Sequence, residues 1–259
     1  GIYATLCTAH ARAATGADEV VAGAGEASVL QLVETHTGVR LRPEIDPSDL
    51  ERQPYPALDL QNRIVYAPVL TAKGCPFSCD YCASRQLHPE RVLRRPESVF
   101  AEIRYWGTAY GVRDFAFYDD ALLVGAEKHA IPLFEMLCGL GEDIRLHTPN
   151  ALHVREITAK TAGLMRKAGM STLRLGLETA DFNDRNMDRK VRADEFLQAA
   201  AYLREAGFAR REIGAYLLAG LPGQSVESVE ASIDLVKAAG VSPVIAHYTP
   251  IPGTAMWDA

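Results

Sequence analysis

Three cysteines, Cys75, Cys79 and Cys82, fall within the eight residues "CPFSCDYC" and form the densest group of chemistry-bearing side chains in the sequence. A C-x3-C-x2-C spacing places three sulfurs on one tight turn, close enough to serve a single inorganic centre. Structural zinc sites are usually four-coordinate and collect their ligands as separated pairs. No second pair accompanies this loop, so a zinc reading must recruit His88 or a distant residue. Electron-transfer iron–sulfur clusters generally use four cysteines. Three thiolates on a four-iron cube leave one iron open, and an open position admits a substrate or cofactor. Zinc and unliganded thiols stay as alternatives on this motif alone.

The other two cysteines, Cys7 and Cys138, lie far from the loop, and a total of five does not make a disulfide framework. Cys138, in "LFEMLCGLG", reads as a small core residue. A reducing cytoplasm is the expected setting. The 259 residues are 48% apolar and 23% charged, which suits one large domain with at most a small appendage. A net charge of −6 argues against a polyanion-binding surface and hence against a nucleic-acid partner. Basic stretches such as "RVLRRP", with Arg91, Arg94 and Arg95, read as solvated faces. No apolar run approaches the ~20 residues of a membrane helix, and no signal peptide is visible. A start at Gly1 and an end soon after "PIPGT" read as the edges of a piece of something longer.

The elements that must position the thiols alternate from about residue 64 onward. Strand "RIVYAPVLTAKG" leads into the cysteines, and helix "SVFAEIRYWGTAYG" follows, with Pro96 before it and Gly111 as its stop. Strand "DFAFYDD" precedes a helix in "EKHAIPLFEMLCGLG", where Pro132 fits only in the first turn, so the helix begins near Ala130. Then come strand "IRLHTPN", helix "ITAKTAGLMRKAG", strand "TLRLGLET", helix "ADEFLQAAAYLREAG", strand "EIGAYLLAG", helix "SVESVEASIDLVKAAG" and strand "PVIAHYTP". Three of the helices end in "AG", at Gly169, Gly207 and Gly240, where glycine supplies the left-handed residue of a C-terminus. Six mostly apolar strands separated by five helices predict an α/β fold with a parallel sheet, a partial (β/α)6 barrel. A complete barrel would need two more units.

In such a fold the functional mouth lies at the C-terminal ends of the strands. The polar residues there form one set: the three cysteines, then Asp119 and Asp120, Asn150, Glu178, the "GLPGQ" loop and "TPIPGT". Each has a local alternative, since Asp120 can cap a turn and the last two segments can be simple turns.

"CPFSCDYC", with aromatic Tyr81 just before the third cysteine, resembles the cluster loop of the radical S-adenosylmethionine (SAM) enzymes. The resemblance covers residues 64–259 and implies a [4Fe–4S] cluster on Cys75, Cys79 and Cys82. It implies that the open iron takes the amino and carboxylate groups of SAM, and that an electron then cleaves the sulfonium to methionine and a 5′-deoxyadenosyl radical, which abstracts a substrate hydrogen. An electron donor such as flavodoxin or ferredoxin, and a small-molecule or peptide substrate, are implied partners. "FAFYDD" resembles the segment that contacts the methionine amino group, with Tyr-Asp-Asp where Gly-Gly-Glu is usual. Asp119 and Asp120, acceptors when ionised, suit an ammonium. Glu178, ending "RLGLE", resembles a cofactor contact. Lys190 matches a basic position that pairs with the methionine carboxylate, a role Arg189 beside it could take, and for either a surface salt bridge is the alternative. Asn150 is placed by position alone. "GLPGQ" resembles a "GLPGET" loop, and "YTPIPGT" the segment that lines the adenine pocket.

Residues 1–39 read differently. "GIYATLCTAHA" is strand-like and "GADEVVAGAGEASVLQLVE" helix-like, together resembling the C-terminal remnant of the cobalamin-binding α/β domain found upstream in one radical SAM subgroup. That domain's Asp-x-His-x-x-Gly loop is missing, and neither His10 nor His36 has its context. Cobalamin is therefore expected only in a longer parent protein, possible methylation with it, and packing on the barrel is the expectation for this segment. Residues 40–63, with Pro43, Pro47, Pro54 and Pro56, read as a linker. A non-catalytic iron–sulfur carrier and a methylthiotransferase-like enzyme are the competing functions. The substrate is not legible; His147, His153, Arg174, Tyr216 and His247 are candidates to point inward or toward the mouth.

Overall fold

The computed structural model describes residues 1–40, 49–140, 143–182 and 187–258. Its sheet contains β1 (Ala67–Val69), β2 (Asp114–Phe117), β3 (Arg145–His147), β4 (Met170–Glu178), β5 (Ile213–Ala219) and β6 (Ser242–His247). These pair in that order, all parallel. Between them run α1 (Pro96–Tyr110), α2 (Ala130–Cys138), α3 (Ala159–Lys167), α4 (Ala193–Glu205) and α5 (Val226–Ala238). Each predicted strand and helix of the barrel is present.

Local chemistry explains the helix ends. Pro96 opens α1, where its missing N–H costs nothing, and Gly111 closes it in the left-handed conformation. Thr158 caps α3, its side chain accepting from the Thr161 amide, and Ser225 caps α5 in the same way through Ser228. At Gly169, φ is 92° and a Cβ would meet the Ile144 carbonyl oxygen at 2.6 Å, so the turn from α3 into β4 closes only on glycine.

Strand periodicity divides the side chains between two faces. Phe115 and Phe117 of β2, Leu146 of β3, Leu173 and Leu175 of β4 and Leu217 of β5 are buried in a core shared with Trp106, Phe134, Met165 and Phe196 of the helices. Full burial of each such side chain contributes roughly 1.5–3 kcal/mol. The alternate positions, Asp114, Ala116, His147, Thr172, Arg174 and Tyr216, line a cavity on the concave side. One short strand was not expected: Leu152–His153 pairs with β4 at Leu175 and Gly176. The register shifts at Leu146 and His147, and the chain leaves the sheet before rejoining it at Leu152.

Two local expectations are corrected. The segment 1–11 read as strand-like is helical, in Ile2–Leu6 and Thr8–Thr15, with a further helix at Glu26–Thr37; among the described residues 1–40 there is no strand. Ala4, Ala9, Ala11, Ala13 and Ala14 favour helix strongly. Cys138, read as core, is exposed. It follows Leu137, the last buried residue of α2, and one further residue turns it off the buried stripe.

Of the 40–63 stretch, Pro43 and Pro47 lie outside the described residues. The rest is docked on the barrel: Leu50 and Leu58 are buried, and the Glu51 carboxylate accepts from the Arg95 amide and the Ser98 hydroxyl at the start of α1. Among the described residues no helix is long and apolar enough to cross a membrane.

Candidate cluster-binding site

Beyond β1 the chain forms a two-residue ribbon, Ala72–Lys73 against Val92–Leu93, and the cysteine loop lies between its arms. Gly74 leads into the loop at φ 85°, where a Cβ would lie 2.6 Å from the Glu90 carbonyl oxygen. Only glycine lets the arms close there. The Cys82 amide donates to the Cys79 carbonyl at 3.0 Å, tightening the turn. Ser84 Oγ lies 3.3 Å from Cys82 Sγ.

Burial pushes the Cys79 thiol up to about 11 and raises that of Cys75, against the pull of the Lys190 charge on each. Thiols in this setting ionise when a metal takes them, since coordination removes the proton outright. Among the described residues no three His, Cys, Asp or Glu side chains converge on one ion. Three thiols on one loop, without a fourth, are the donor set that a cluster would use, with Cys75, Cys79 and Cys82 to hold it.

His153 joins this loop. Its ring stacks on Phe77 at 4.5 Å, and Nε2 lies 3.9 Å from Cys75 Sγ. Burial, with the Lys190 and Arg91 charges, depresses its pKa to about 4, so the ring is neutral at neutral pH. Its Nδ1 is buried without a hydrogen-bond partner. Sequence reading had listed His153 only as a substrate candidate; the short strand Leu152–His153 brings it to the thiols instead.

Next to the cysteines, Lys190 Nζ donates to Glu178 Oε1 at 2.9 Å and lies 5.4 Å from the centre of the Tyr81 ring. The Tyr81 hydroxyl donates to Asp188 Oδ2 at 3.2 Å, and the Lys190 amide donates to Asp188 Oδ1 at 3.2 Å. Burial, with Glu178 and Cys79 nearby, holds the Tyr81 phenol far above its ordinary range. Tyr81, Glu178 and Lys190 were each expected from sequence; Asp188, two residues before Lys190, was not. Arg189 is exposed, and its backbone carbonyl accepts from Arg155.

The two aspartates separate. Asp119 is buried and its carboxylate accepts from the Thr71 amide and from Thr71 Oγ1 at 2.6 Å. Thr71 Oγ1 in turn lies 2.6 Å from His129 Nε2. With its one proton given to Asp119, the Thr71 hydroxyl must accept from a His129 Nε2–H. Nothing in "EKHAIP" had marked His129. Asp120 is half-buried and lines a cavity of about 600 Å³ with Lys73, His88, Gly1, Thr5 and Glu26. Asn150 Nδ2 donates to the Tyr118 carbonyl at 2.9 Å and approaches that of Asp119 at 3.4 Å, so it holds the backbone that carries both aspartates.

A groove of about 310 Å³ also borders the cysteine loop, running between Asp80, Thr179, Met187, Leu221, Gln224 and Met256. Gln224 staples its own loop: Oε1 accepts from the Gly220 and Leu221 amides, and Nε2 donates to the Leu218 carbonyl at 2.9 Å. A glutamate here would lack that donor. The Met256 amide donates to the Asp80 carbonyl at 2.9 Å, joining the last segment to the cluster loop. Of the remaining candidates, His147, Arg174 and Tyr216 meet in the concave cavity, and His247 is exposed.

Comparison with known proteins finds relatives in sequence and in fold. A Pyrococcus horikoshii protein described as "Uncharacterized methyltransferase PH0819" is 25% identical over 220 residues, covering 81% of this chain and 47% of the relative. The "tRNA-2-methylthio-N(6)-dimethylallyladenosine synthase" of Mycolicibacterium gilvum is 30% identical over 217 residues, covering 76% and 41%. The chain thus spans less than half the length of these relatives. Among solved structures, the radical S-adenosylmethionine methyltransferase TsrM of Kitasatospora setae, with cobalamin and a [4Fe–4S] cluster bound, superposes with a TM-score of 0.65 at 19% identity. That match covers 74% of this chain and 38% of TsrM, and it shows a shared fold. The family model described as the Radical SAM superfamily matches residues 69–236, more than half of the sequence, and the chain belongs to that superfamily.

Proposed function

We propose that residues 64–259 are the catalytic barrel of a radical SAM enzyme, and that its substrate reaction in the longer protein is a methyl transfer. The observation that carries this is the set of three thiols without a fourth, beside the buried Lys190–Glu178 pair and the groove lined by Asp80, Thr179, Met187, Gln224 and Met256. The cluster, when bound, supplies the electron that splits the sulfonium of SAM into methionine and a 5′-deoxyadenosyl radical. Cys75, Cys79 and Cys82 hold it, and His153 faces one of those thiols.

Lys190 supplies positive charge for the methionine carboxylate, with Glu178 keeping its ammonium oriented. Asp120 is the free-facing acceptor for the amino group. Asp119 acts behind it by fixing Thr71, and Asn150 by fixing the loop backbone. The groove takes the adenosine end, where backbone groups of the 220–224 loop approach closely. Tyr81 shields the Lys190 ammonium from water.

Support for methylation comes from the P. horikoshii relative and the TsrM fold. The M. gilvum relative supports a methylthio transfer instead. Such enzymes usually bring cysteines for a second cluster, and here Cys138 is exposed on α2 and Cys7 sits among the N-terminal helices. Residues 1–39 are proposed as the remnant of an upstream cobalamin-binding domain, residues 40–63 as the linker, and flavodoxin or ferredoxin as electron donor.

The test is anaerobic reconstitution with iron and sulfide, reduction, and chromatography of the products of SAM. Release of 5′-deoxyadenosine or S-adenosylhomocysteine is expected. A protein that holds iron, cycles between redox states and leaves SAM intact would be the carrier instead.

A further inference from the structure

We propose that the concave wall of the barrel is a binding site for a flat, apolar molecule carrying a carboxylate, with Arg174 as the carboxylate's partner. This rests on the reading above that the barrel is catalytic, and it names the chemical class of its substrate. The cavity measures about 500 Å³, within the range of small-molecule sites. Tyr66, Tyr118, Tyr216 and Pro149 give it apolar, largely aromatic surfaces.

The polar groups of the wall are already engaged, apart from one. Asp114 Oδ1 accepts from Arg145 Nε at 2.7 Å and from His147 Nε2 at 3.1 Å. A carboxylate only accepts, so His147 carries its proton on Nε2, and its Nδ1 meets Thr172 Oγ1 at 3.0 Å. The Tyr216 hydroxyl donates to the Pro149 carbonyl at 2.8 Å. Asp114 is thereby neutralised by Arg145, and its capacity is spent on fixing His147.

Arg174 is the exception. Its guanidinium makes a single hydrogen bond, Nη1 to the Leu173 carbonyl at 3.0 Å, and has no carboxylate partner among the described residues. The remaining donors are those of a planar fork matched to a carboxylate. The neighbouring strand makes room for it. A Cβ on Gly214 would lie 3.1 Å from both Arg174 Cδ and Nη1, and 2.9 Å from Val244 Cγ2. Gly214 has an ordinary φ, so it is the space and not the backbone that calls for glycine. An unpaired cation lodged in a space cleared for it, inside an aromatic cavity, is the arrangement an aryl carboxylate completes.

The experiment is a fluorescence titration of the reconstituted protein, under anaerobic conditions, with 1-naphthylacetate, its uncharged amide 1-naphthylacetamide, and 1-naphthyl phosphate. The carboxylate is expected to bind about tenfold tighter than the amide, the contribution of a charge-assisted bidentate contact. Arg174→Gln should bring the carboxylate down to the amide's affinity, and Arg174→Lys should restore part of the difference. Equal binding of acid and amide to the unaltered protein, or none by either at millimolar concentration, overturns the proposal without reliance on any variant. Tighter binding of the phosphate than the carboxylate overturns it too. The titration needs no SAM cleavage. A protein that discriminates by charge but leaves SAM intact upholds the site and sinks the proposed activity; cleavage without discrimination does the reverse.

Discussion

Lys190 and Glu178 meet at 2.9 Å with side chains only 11% and 8% exposed, an ion pair taken almost wholly out of water beside the cysteine loop. Burial works to lower the Lys190 pKa, yet the Glu178 charge and hydrogen bond, with help from Cys79, leave it raised. Glu178 also holds a left-handed backbone, φ 62°, rare for a residue with a side chain. Both the electrostatics and the backbone geometry of the mouth therefore hang on one pair.

Removing one partner should cost far more than removing both. Lys190→Met leaves a buried carboxylate without its countercharge and is expected to destabilise the apoprotein by about 3–5 kcal/mol in urea unfolding. The Lys190→Met, Glu178→Gln double variant should recover most of that loss, because no charge is then stranded. A single variant as stable as the parent would mean the pair is relaxed into solvent.

The cysteines divide cleanly into two groups. Cys75→Ala, Cys79→Ala and Cys82→Ala should each abolish cleavage of SAM and lower the iron retained after reconstitution. Cys7→Ala and Cys138→Ala should change neither, since Cys138 is exposed on α2 and Cys7 lies between the first two N-terminal helices. Retained cleavage in any of the first three would remove the cluster assignment.

The Asp119–Thr71–His129 chain makes a prediction about acid stability. Burial lifts Asp119 from 3.8 to about 6, so between those values the native state holds more protons than the unfolded one, and this contribution to stability falls as pH rises. Burial and the Arg91 charge depress His129 from 6.5 to about 4, so its contribution rises with pH from about 4 to 6.5. The two oppose each other over most of one window. Asp119→Asn should leave the rising part, and His129→Leu the falling part, each read as a tilt in urea midpoint against pH relative to the parent. Parallel curves for parent and variants would show that these groups titrate normally.

Barrel order was legible because each unit advertises itself: apolar strands, amphipathic helices, and "AG" stops whose glycines occupy left-handed turns at Gly169, Gly207 and Gly240. The thiols were legible for the same reason, as a local spacing. What escaped was set by tertiary placement. His153 reached Cys75 only because β3 ends early and a two-residue strand rejoins the sheet. Asp119 and Asp120 are adjacent in sequence, but alternation turns one inward to Thr71 and leaves the other at a cavity. The N-terminal segment misled because "GIYATLC" begins with strand-favouring residues while its alanines decide the local conformation.

His153 supplies the last prediction. Neutral at neutral pH, stacked on Phe77 and 3.9 Å from Cys75 Sγ, it can present an Nε2–H to a thiolate whose proton would be displaced to solvent on binding iron. A hydrogen bond to a cluster sulfur stabilises the more negative, reduced state and so raises the reduction potential. His153→Phe keeps an aromatic ring for the Phe77 stack but removes the donor. It should therefore retain iron while shifting the cluster's potential to a more negative value, read by a redox titration followed by electron paramagnetic resonance. A variant that titrates with the parent would confine His153 to packing, and one that loses iron would make it part of the loop's scaffold.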